Sequence, residues 1–138
     1  MAEPRAFLSF DFDNNETSRN LFAGQAKKDS PTPFILEDWS SKRALPEAEW
    51  EEFIAKKIAG CHLMIVLVGK SMGSAYGVAA EIAMAKDKKV PYFGVYVDGA
   101  GTSSTLPTGL PRNRTIAWNW VNIAAAIDQM LGEGKNAK

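Results

Sequence analysis

The sequence has few of the residues on which several classes of protein depend. It contains one cysteine, Cys61, so no internal disulfide can form, and one histidine, His62, which leaves too few soft ligands for a zinc site. Its 16 Lys and Arg residues are balanced by 16 Asp and Glu residues. Because a domain that binds many phosphates normally carries a basic excess, nucleic acid is not expected as the main partner.

Long apolar segments are also missing. The longest strongly apolar run, Leu63 to Val68, is far shorter than a membrane span, and the N-terminal MAEPRAF lacks the apolar core of a secretory signal. The 138 residues, 46% of them hydrophobic and 23% charged, suit one globular domain. We therefore predict a single domain over residues 1–131 with a flexible tail over 132–138, in a soluble, cytoplasmic protein that binds neither membrane nor nucleic acid.

Short apolar runs alternate with helical patterns along the chain. The patterns predict five strands, at Arg5–Phe10, Thr32–Glu37, His62–Val68, Val90–Val97 and Arg114–Ala117. They predict four helices, at about Glu16–Lys27 after a polar turn over Asp11–Asn15, then at Pro46–Gly60, Ala75–Lys86 and Val121–Leu131. This alternation is typical of a flavodoxin-like three-layer α/β/α fold with a five-stranded parallel sheet in the order 2-1-3-4-5.

The predicted strand order also predicts where a ligand binds. In such folds the site lies at the carboxyl ends of the strands, where the strand order reverses between the first and third strands. Residues Phe10 to Asn14 and Gly69 to Ser74 should therefore line one crevice. The Gly69-Lys70-Ser71 string is no P-loop, because Met64 stands where the motif needs its first glycine.

Glu81 is the residue in the predicted third helix that stands out. The core face of this helix reads Val78, Ile82 and Ala85, and Glu81 is rotated by roughly 60° from Val78. This spacing predicts that the carboxylate reaches the rim of the crevice without being fixed in the core. The alternative is a solvated helix carboxylate, which spacing alone favours because most helix glutamates have no special chemistry.

Other polar and aromatic residues near the crevice have two interpretations each. Asp11 could orient ribose hydroxyls or be a turn residue, and Trp39, beside Asp38, could stack on a base or tuck under its own loop. Ser71 and Ser74 stand at a helix N-terminus, where they could cradle phosphate or act only as caps. Packing or structural roles are expected for the remaining candidates, Trp118, Trp120, His62 and Cys61.

Several strings, taken in order, resemble one family. They are FLSFDFDN, EDWS, IAGCHLMIVLVG, SAYGVAAEIAMA and IAWNWVNIAAAI, and they extend from about Phe7 to Ile127. Together they are similar to bacterial TIR-like domains, most closely to the ThsB type of the Thoeris anti-phage defence system. No single string is specific, and the resemblance lies in their order and spacing.

The resemblance implies a role for individual residues. TIR enzymes carry a glutamate on the helix after the third strand, and the match with Ser74 to Glu81 selects Glu81 as the catalytic residue. It places Phe10 and Asp11 at the nicotinamide end of a substrate. The remaining implied substrate contacts are Asp38 and Trp39 in the loop that corresponds to the BB loop, Ser71 and Ser74 near phosphate, and Tyr76. The chain departs from the family pattern at Trp39, where many relatives have histidine, and at Tyr76-Gly77, where an aromatic-cysteine pair is common.

The resemblance also implies an activity. Such a protein is expected to cleave the nicotinamide–ribose bond of NAD+, with NAD+ as substrate and no cofactor or metal, and to make a cyclic ADP-ribose isomer that a separate effector protein senses. A homo-oligomer formed through the TIR loops is expected. Two alternatives remain open: a non-catalytic interaction module that docks through Asp38–Arg43 and Asp98–Asn113, or a nucleotide N-glycosidase on the same fold.

Overall fold

Five strands and four helices alternate along the chain in a computed structural model, which describes residues 5–10, 12–29, 35–37, 47–70 and 76–132. The strands are β1 (Arg5–Ser9), β2 (Ile35–Glu37), β3 (Leu63–Val68), β4 (Tyr92–Tyr96) and β5 (Thr115–Ile116). The helices are α1 (Phe12–Asp29), α2 (Glu47–Ala59), α3 (Tyr76–Asp87) and α4 (Trp120–Leu131), and a 3-10 turn over Arg112–Arg114 precedes β5.

The strands form one parallel sheet in the order β2-β1-β3-β4-β5, which confirms the predicted fold class and strand order. In the register of the central strands, Ser9 stands opposite Val66 and Val68 stands opposite Tyr96. All six residues of β3 are completely buried. A strand that is apolar at every position is stable here because the layers on both faces of the sheet exclude water from it.

Alternating residues of the strands divide the core into two clusters. On one face, Phe7, Met64 and Val66 pack beneath α2 and α3. On the other face, Leu8 and Ile65 belong to a cluster that is covered by apolar residues of α1 and α4. The two-residue period of a strand thus sends side chains of every central strand into both clusters.

The start of α1 differs from the prediction. The helix begins at Phe12, so most of the predicted polar turn Asp11–Asn15 is helical. Leu21 is 54% exposed, whereas the adjacent Phe22 is completely buried. The inward stripe of the described side chains is Ser18, Phe22 and Ala26, one residue per turn, and it leaves Leu21 on the flank.

The long segment predicted between the fourth and fifth strands is held in shape by its own hydrogen bonds. It starts with a turn in which the Ala100 N–H donates to the Val97 carbonyl at 3.0 Å, with positive φ angles at Asp98 (54°) and Gly99 (77°). These angles define a type I′ turn, for which Asp-Gly is a favoured pair. Further along, the Arg112 guanidinium donates to the carbonyl oxygens of Thr102 and Ser104.

The C-terminal helix α4 ends at Leu131, and Gly132 is its C-cap. The predicted tail over 132–138 lies almost wholly outside the described residues, so the domain limits stay a prediction. Of the helices described, none combines the length and the apolar character that crossing a bilayer requires.

Candidate functional site

The predicted crevice lies where β1 and β3 end side by side. The two strands are parallel neighbours, and β2 lies on the opposite side of β1, so the strand order reverses at this point. Phe10 follows β1, and Gly69 and Lys70 follow β3. Phe10 is 2% exposed and packs in the cluster beneath α1 and α4, whereas Lys70 is exposed at the edge of the sheet.

Glu81 is completely buried, which contradicts both interpretations of its spacing. It is neither a solvated helix carboxylate nor a rim residue outside the core. Val78, Glu81, Ile82 and Ala85 stand at positions i, i+3, i+4 and i+7, and all four are buried. The rotation of 60° from Val78 therefore keeps Glu81 within the inward stripe of α3, because such a stripe is at least about 100° wide.

The carboxylate of Glu81 is bound by a residue of β1. The hydroxyl of Ser9, itself completely buried, donates to Glu81 Oε1 at 2.7 Å. This contact joins the third helix to β1, the strand that ends beside the predicted ligand site. Ser9 was not among the residues predicted for the site. The two-residue period of β1 could have found it, because Ser9 must face the same side of the sheet as Phe7.

A carboxylate in this position is costly to the fold. Transfer of an ionised carboxylate from water into an apolar environment is unfavourable unless hydrogen bonds or charges compensate, and a buried carboxylate at the end of a sheet is therefore a candidate for a functional group. The other buried residues in the first turns of α3, Val78 and Ile82, are apolar, so Glu81 is the polar exception among them. A buried carboxylate can orient hydroxyl groups of a ligand, stabilise a developing positive charge or attack an electrophilic carbon.

Two further charged groups stand at the same edge: Lys70, which lies in the stretch Gly69–Ser74 predicted to line the crevice but was given no role there, and Asp98, which was not predicted near the site. Asp98 follows β4, and its carboxylate accepts a hydrogen bond from the buried hydroxyl of Ser18 in α1. A Cβ atom on Gly99 would lie 2.9 Å from Lys70 Cε and 3.2 Å from its Nζ, so the Lys70 side chain runs directly over Gly99. The rule that ligands bind at the carboxyl ends of strands selects Lys70, which follows β3, whereas Asp98 is bound by Ser18 of α1 and is given no role at the site.

Most of the predicted substrate contacts cannot be placed in this geometry. Five of them lie outside the described residues, namely Asp11, Asp38, Trp39, Ser71 and Ser74. Tyr76 is placed only as the first residue of α3. These six residues stay predictions. The described part of the site brings Glu81 together with Ser9, and it puts Phe10 and Lys70 at the same edge of the sheet.

The opposite edge of the sheet holds the residues expected to be structural. The Arg5 N–H donates to His62 Nδ1 at 3.0 Å, and the His62 N–H donates to the Arg5 carbonyl at 2.8 Å. Cys61 is buried, and its thiol donates to the Lys57 carbonyl at 3.3 Å. Within the described ranges, no group of three or more His, Cys, Asp or Glu side chains is placed to hold a metal ion.

The two tryptophans near the last strand pack as expected. Trp118 and Trp120 both lie against Phe22, with ring centroids 5.6 and 4.9 Å away. The indole N–H of Trp120 donates to Gln25 Oε1 at 2.9 Å, and this hydrogen bond joins α4 to α1. Their rings thus stabilise the layer of helices behind Phe10.

Comparison with known proteins identifies the family. A sequence profile described as "Thoeris protein ThsB, TIR-like domain" matches residues 7–102, which is more than half of the chain and includes Ser9, Phe10, Lys70 and Glu81. No curated protein sequence matches the chain.

The solved structures that resemble this one include two SEFIR domains. The SEFIR domain of IL-17 receptor B superposes with a TM-score of 0.59 at 12% identity, over 92% of this chain and 94% of that one. A prokaryotic SEFIR domain gives 0.53 at 15% identity, over 93% and 96% of the two chains. The TIR domains of the activated Roq1 resistosome give 0.47 at 17% identity, over 71% and 60%. The two SEFIR likenesses show a shared fold.

Proposed function

The chain belongs to the family of TIR-like domains of the Thoeris protein ThsB, and from this premise we propose that it cleaves the nicotinamide–ribose bond of NAD+. The product that we propose is a cyclic ADP-ribose isomer, made as a signal in anti-phage defence. NAD+ is the substrate, and the reaction uses no further cofactor or metal. A separate effector protein senses the product.

The observation that carries this proposal is the buried carboxylate of Glu81. Glu81 is completely buried, receives a hydrogen bond from Ser9 at 2.7 Å and lies in the helix that follows β3. A buried carboxylate lowers the stability of a fold relative to an apolar residue of the same size. Its presence in an otherwise apolar stripe therefore supports a chemical role, and the family match supports the choice of reaction.

Cleavage of this bond suits a carboxylate. The bond between ribose C1′ and the nicotinamide nitrogen breaks, and its electron pair leaves with nicotinamide, which is thereby neutralised without a proton donor. Positive charge develops on the ribose as an oxocarbenium-like transition state. Glu81 stabilises that charge and orients the ribose hydroxyls. A hydroxyl or an adenine nitrogen of the same molecule then bonds to C1′, with loss of any attached proton to solvent, and proximity favours this cyclisation where water is excluded.

The other residues at the edge hold the substrate. In our proposal Phe10 packs below the nicotinamide end, and Asp11 helps to position it. Lys70, whose cation lies over Gly99 at this edge, pairs with the pyrophosphate. The remaining contacts carried over from the family are Ser71 and Ser74 near the phosphates, together with Tyr76, Asp38 and Trp39.

The depth of Glu81 has a consequence for activation. Because its side chain is inaccessible to solvent, NAD+ can contact it only after a segment at the carboxyl edge of the sheet is displaced. We expect self-association through the TIR loops to favour the open state. Activity should therefore rise more than linearly with protein concentration, since the assembled form is the competent one.

The decisive experiment compares three proteins at high concentration with NAD+, followed by liquid chromatography and mass spectrometry. We expect the parent protein to release nicotinamide together with a species of cyclic ADP-ribose mass. Glu81→Gln keeps the size and removes the charge, and it should lower the rate by roughly 10²-fold or more, the scale for loss of one preorganised electrostatic group. Glu51→Gln is the matched control, since it makes the same change at an exposed position in α2 and should keep full activity.

Each alternative outcome has a distinct meaning. Linear ADP-ribose as the only product would indicate a plain NAD+ hydrolase, and an active Glu81→Gln protein would remove Glu81 from the mechanism. Turnover of free nucleosides or nucleotides in preference to NAD+ would support an N-glycosidase. Absence of turnover in the parent protein, even in a crowded buffer that promotes association, would favour an interaction module.

One observation favours that interaction module as the second candidate. Leu21 in α1 and Val121 in α4 are 54% and 70% exposed, and the Trp120–Gln25 hydrogen bond joins these two helices. A contiguous patch of exposed apolar side chains marks a surface that binds another protein, and we infer that Leu21 and Val121 would add such a surface to the docking segments Asp38–Arg43 and Asp98–Asn113 expected from the sequence. If this is the main function, self-association measured by sedimentation should be lost in Leu21→Ser or Val121→Ser and should be unchanged in Glu81→Gln.

A further inference from the structure

The Ser9 hydroxyl occupies a position that packing alone would give to an apolar residue. Ser9 shares a face of β1 with Phe7 and stands opposite Val66, and both of these residues belong to the cluster beneath α2 and α3. Ser9 and Glu81 are both completely buried. A buried hydroxyl and a buried carboxylate on facing elements are stable together because each satisfies the other, whereas each alone is unfavourable.

The geometry of this pair restricts the motion of the carboxylate. The hydroxyl donates to Oε1 at 2.7 Å, the distance of a normal hydrogen bond between two oxygens. The hydroxyl is carried by a central strand with both faces buried, so its position is set by the sheet. A glutamate side chain has three rotatable bonds, and a hydrogen bond to a fixed donor reduces the number of conformations that keep Oε1 bound. The positions open to the other oxygen, Oε2, are restricted with it.

We propose that Ser9 is a positioning residue of the NAD+-cleaving site, which acts through Glu81 and does not touch the substrate. This inference rests on the proposed function. Ser9 binds Oε1 and thereby presents Oε2 to the ribose. Orientation of this oxygen matters most when positive charge develops on the ribose, so loss of the hydroxyl raises the barrier of the chemical step. Binding of ground-state NAD+ depends on other contacts and changes little.

The central variant is Ser9→Ala, assayed by initial rates of nicotinamide release well below the unfolding temperature of each protein. We expect kcat to fall between about 10-fold and 10²-fold, the range for a small displacement of a catalytic group, with KM within about twofold of the parent value. Ser9→Thr keeps a hydroxyl on the same strand and should restore kcat to within about threefold of the parent value. A Ser9→Ala, Glu81→Gln double variant should be no slower than Glu81→Gln alone, because Ser9 acts only through the carboxylate.

Ser18→Ala is the matched control for a purely structural effect. Ser18 is a second buried serine whose hydroxyl donates to a carboxylate, that of Asp98. Its loss should lower stability to a similar degree but leave kcat unchanged. An equal loss of kcat in both serine variants would show that Ser9 only supports the fold, and would overturn the proposal.

Two other results would also overturn it, and they can be distinguished from a failure of the proposed function. An increase of kcat in Ser9→Ala would show that the hydrogen bond sequesters Glu81 instead of positioning it. An unchanged kcat in Ser9→Ala, with an inactive Glu81→Gln, would remove Ser9 but keep the proposed function. A parent protein that releases no nicotinamide, or a fully active Glu81→Gln, would remove the proposed function and the role of Ser9 with it.

Discussion

At the scale of single residues, the Ser9–Glu81 pair is a polar contact that the fold buries completely. Both side chains are completely buried and are joined at 2.7 Å. Breaking one partner of such a pair leaves the other without compensation, which costs about 1–3 kcal/mol. Replacing both partners by apolar groups of similar shape is neutral or stabilising, because neither group then needs to be removed from water.

A single and a double substitution in this pair should have opposite effects on the free energy of unfolding. Ser9→Ala should lower the free energy of unfolding by about 1–3 kcal/mol, as expected for a buried acceptor that loses its donor. Ser9→Ala combined with Glu81→Met, which keeps the volume of the helix side chain, should be at least as stable as the parent protein. Urea unfolding followed by circular dichroism measures both. A double variant less stable than Ser9→Ala alone would show that Glu81 is needed by the fold itself.

At the scale of elements, the segment between β4 and β5 is fitted closely to α3. Gly109 has a φ of 95°, and a Cβ atom at this position would lie 2.8 Å from Ile82 Cγ2. The Tyr92 hydroxyl donates to the Gly109 carbonyl at 2.9 Å, which holds the same residue against β4. Ile82 is the neighbour of Glu81 in sequence, so this contact also supports the helix that carries the carboxylate.

Gly109→Ala should therefore destabilise the protein. The added methyl group meets both an unfavourable φ angle and a close side chain, and together these cost about 1–3 kcal/mol. Gly101→Ala is the control in the same segment, because its φ is not positive and a Cβ atom there meets nothing within 4 Å. It should be neutral or slightly stabilising. Thermal unfolding of the two variants tests the contact, and equal unfolding temperatures would contradict it.

The elements differ in how far the sequence could predict them. The all-apolar run of β3 and the alternation of strands with helices were enough for the sheet order. The start of α1 was missed because Asp and Asn are favourable both in a turn and in the first turn of a helix, where they interact with the helix dipole. Glu81 was found by resemblance, but its burial and its partner Ser9 were not. A single serine in a strand has no sequence pattern that marks it as functional. Ser9 becomes a candidate only because the fold packs α3 against β1, so that its hydroxyl meets Glu81.

At the scale of the whole molecule, the parallel sheet separates two kinds of polar residue. His62, Cys61 and Arg5 lie at the amino edge and bond to backbone atoms or pack. Ser9 is the last residue of β1, and Lys70 follows the end of β3, so both lie at the carboxyl edge. The chain has no net charge, so an attraction for an anionic dinucleotide must come from the local arrangement and not from the overall balance.

Lys70 is the residue through which this local attraction can be tested. If its ammonium pairs with the pyrophosphate, Lys70→Gln should raise KM for NAD+ by about 10-fold, equivalent to ~1.4 kcal/mol, and should change kcat little. Lys86→Gln is the control, because it removes the same charge from an exposed position in the last turn of α3, at the other end of the helix from the carboxyl edge. Added salt should weaken NAD+ binding to the parent protein more than to Lys70→Gln, since screening acts on the pair that the variant lacks. Equal KM values for the two lysine variants would place the pyrophosphate elsewhere.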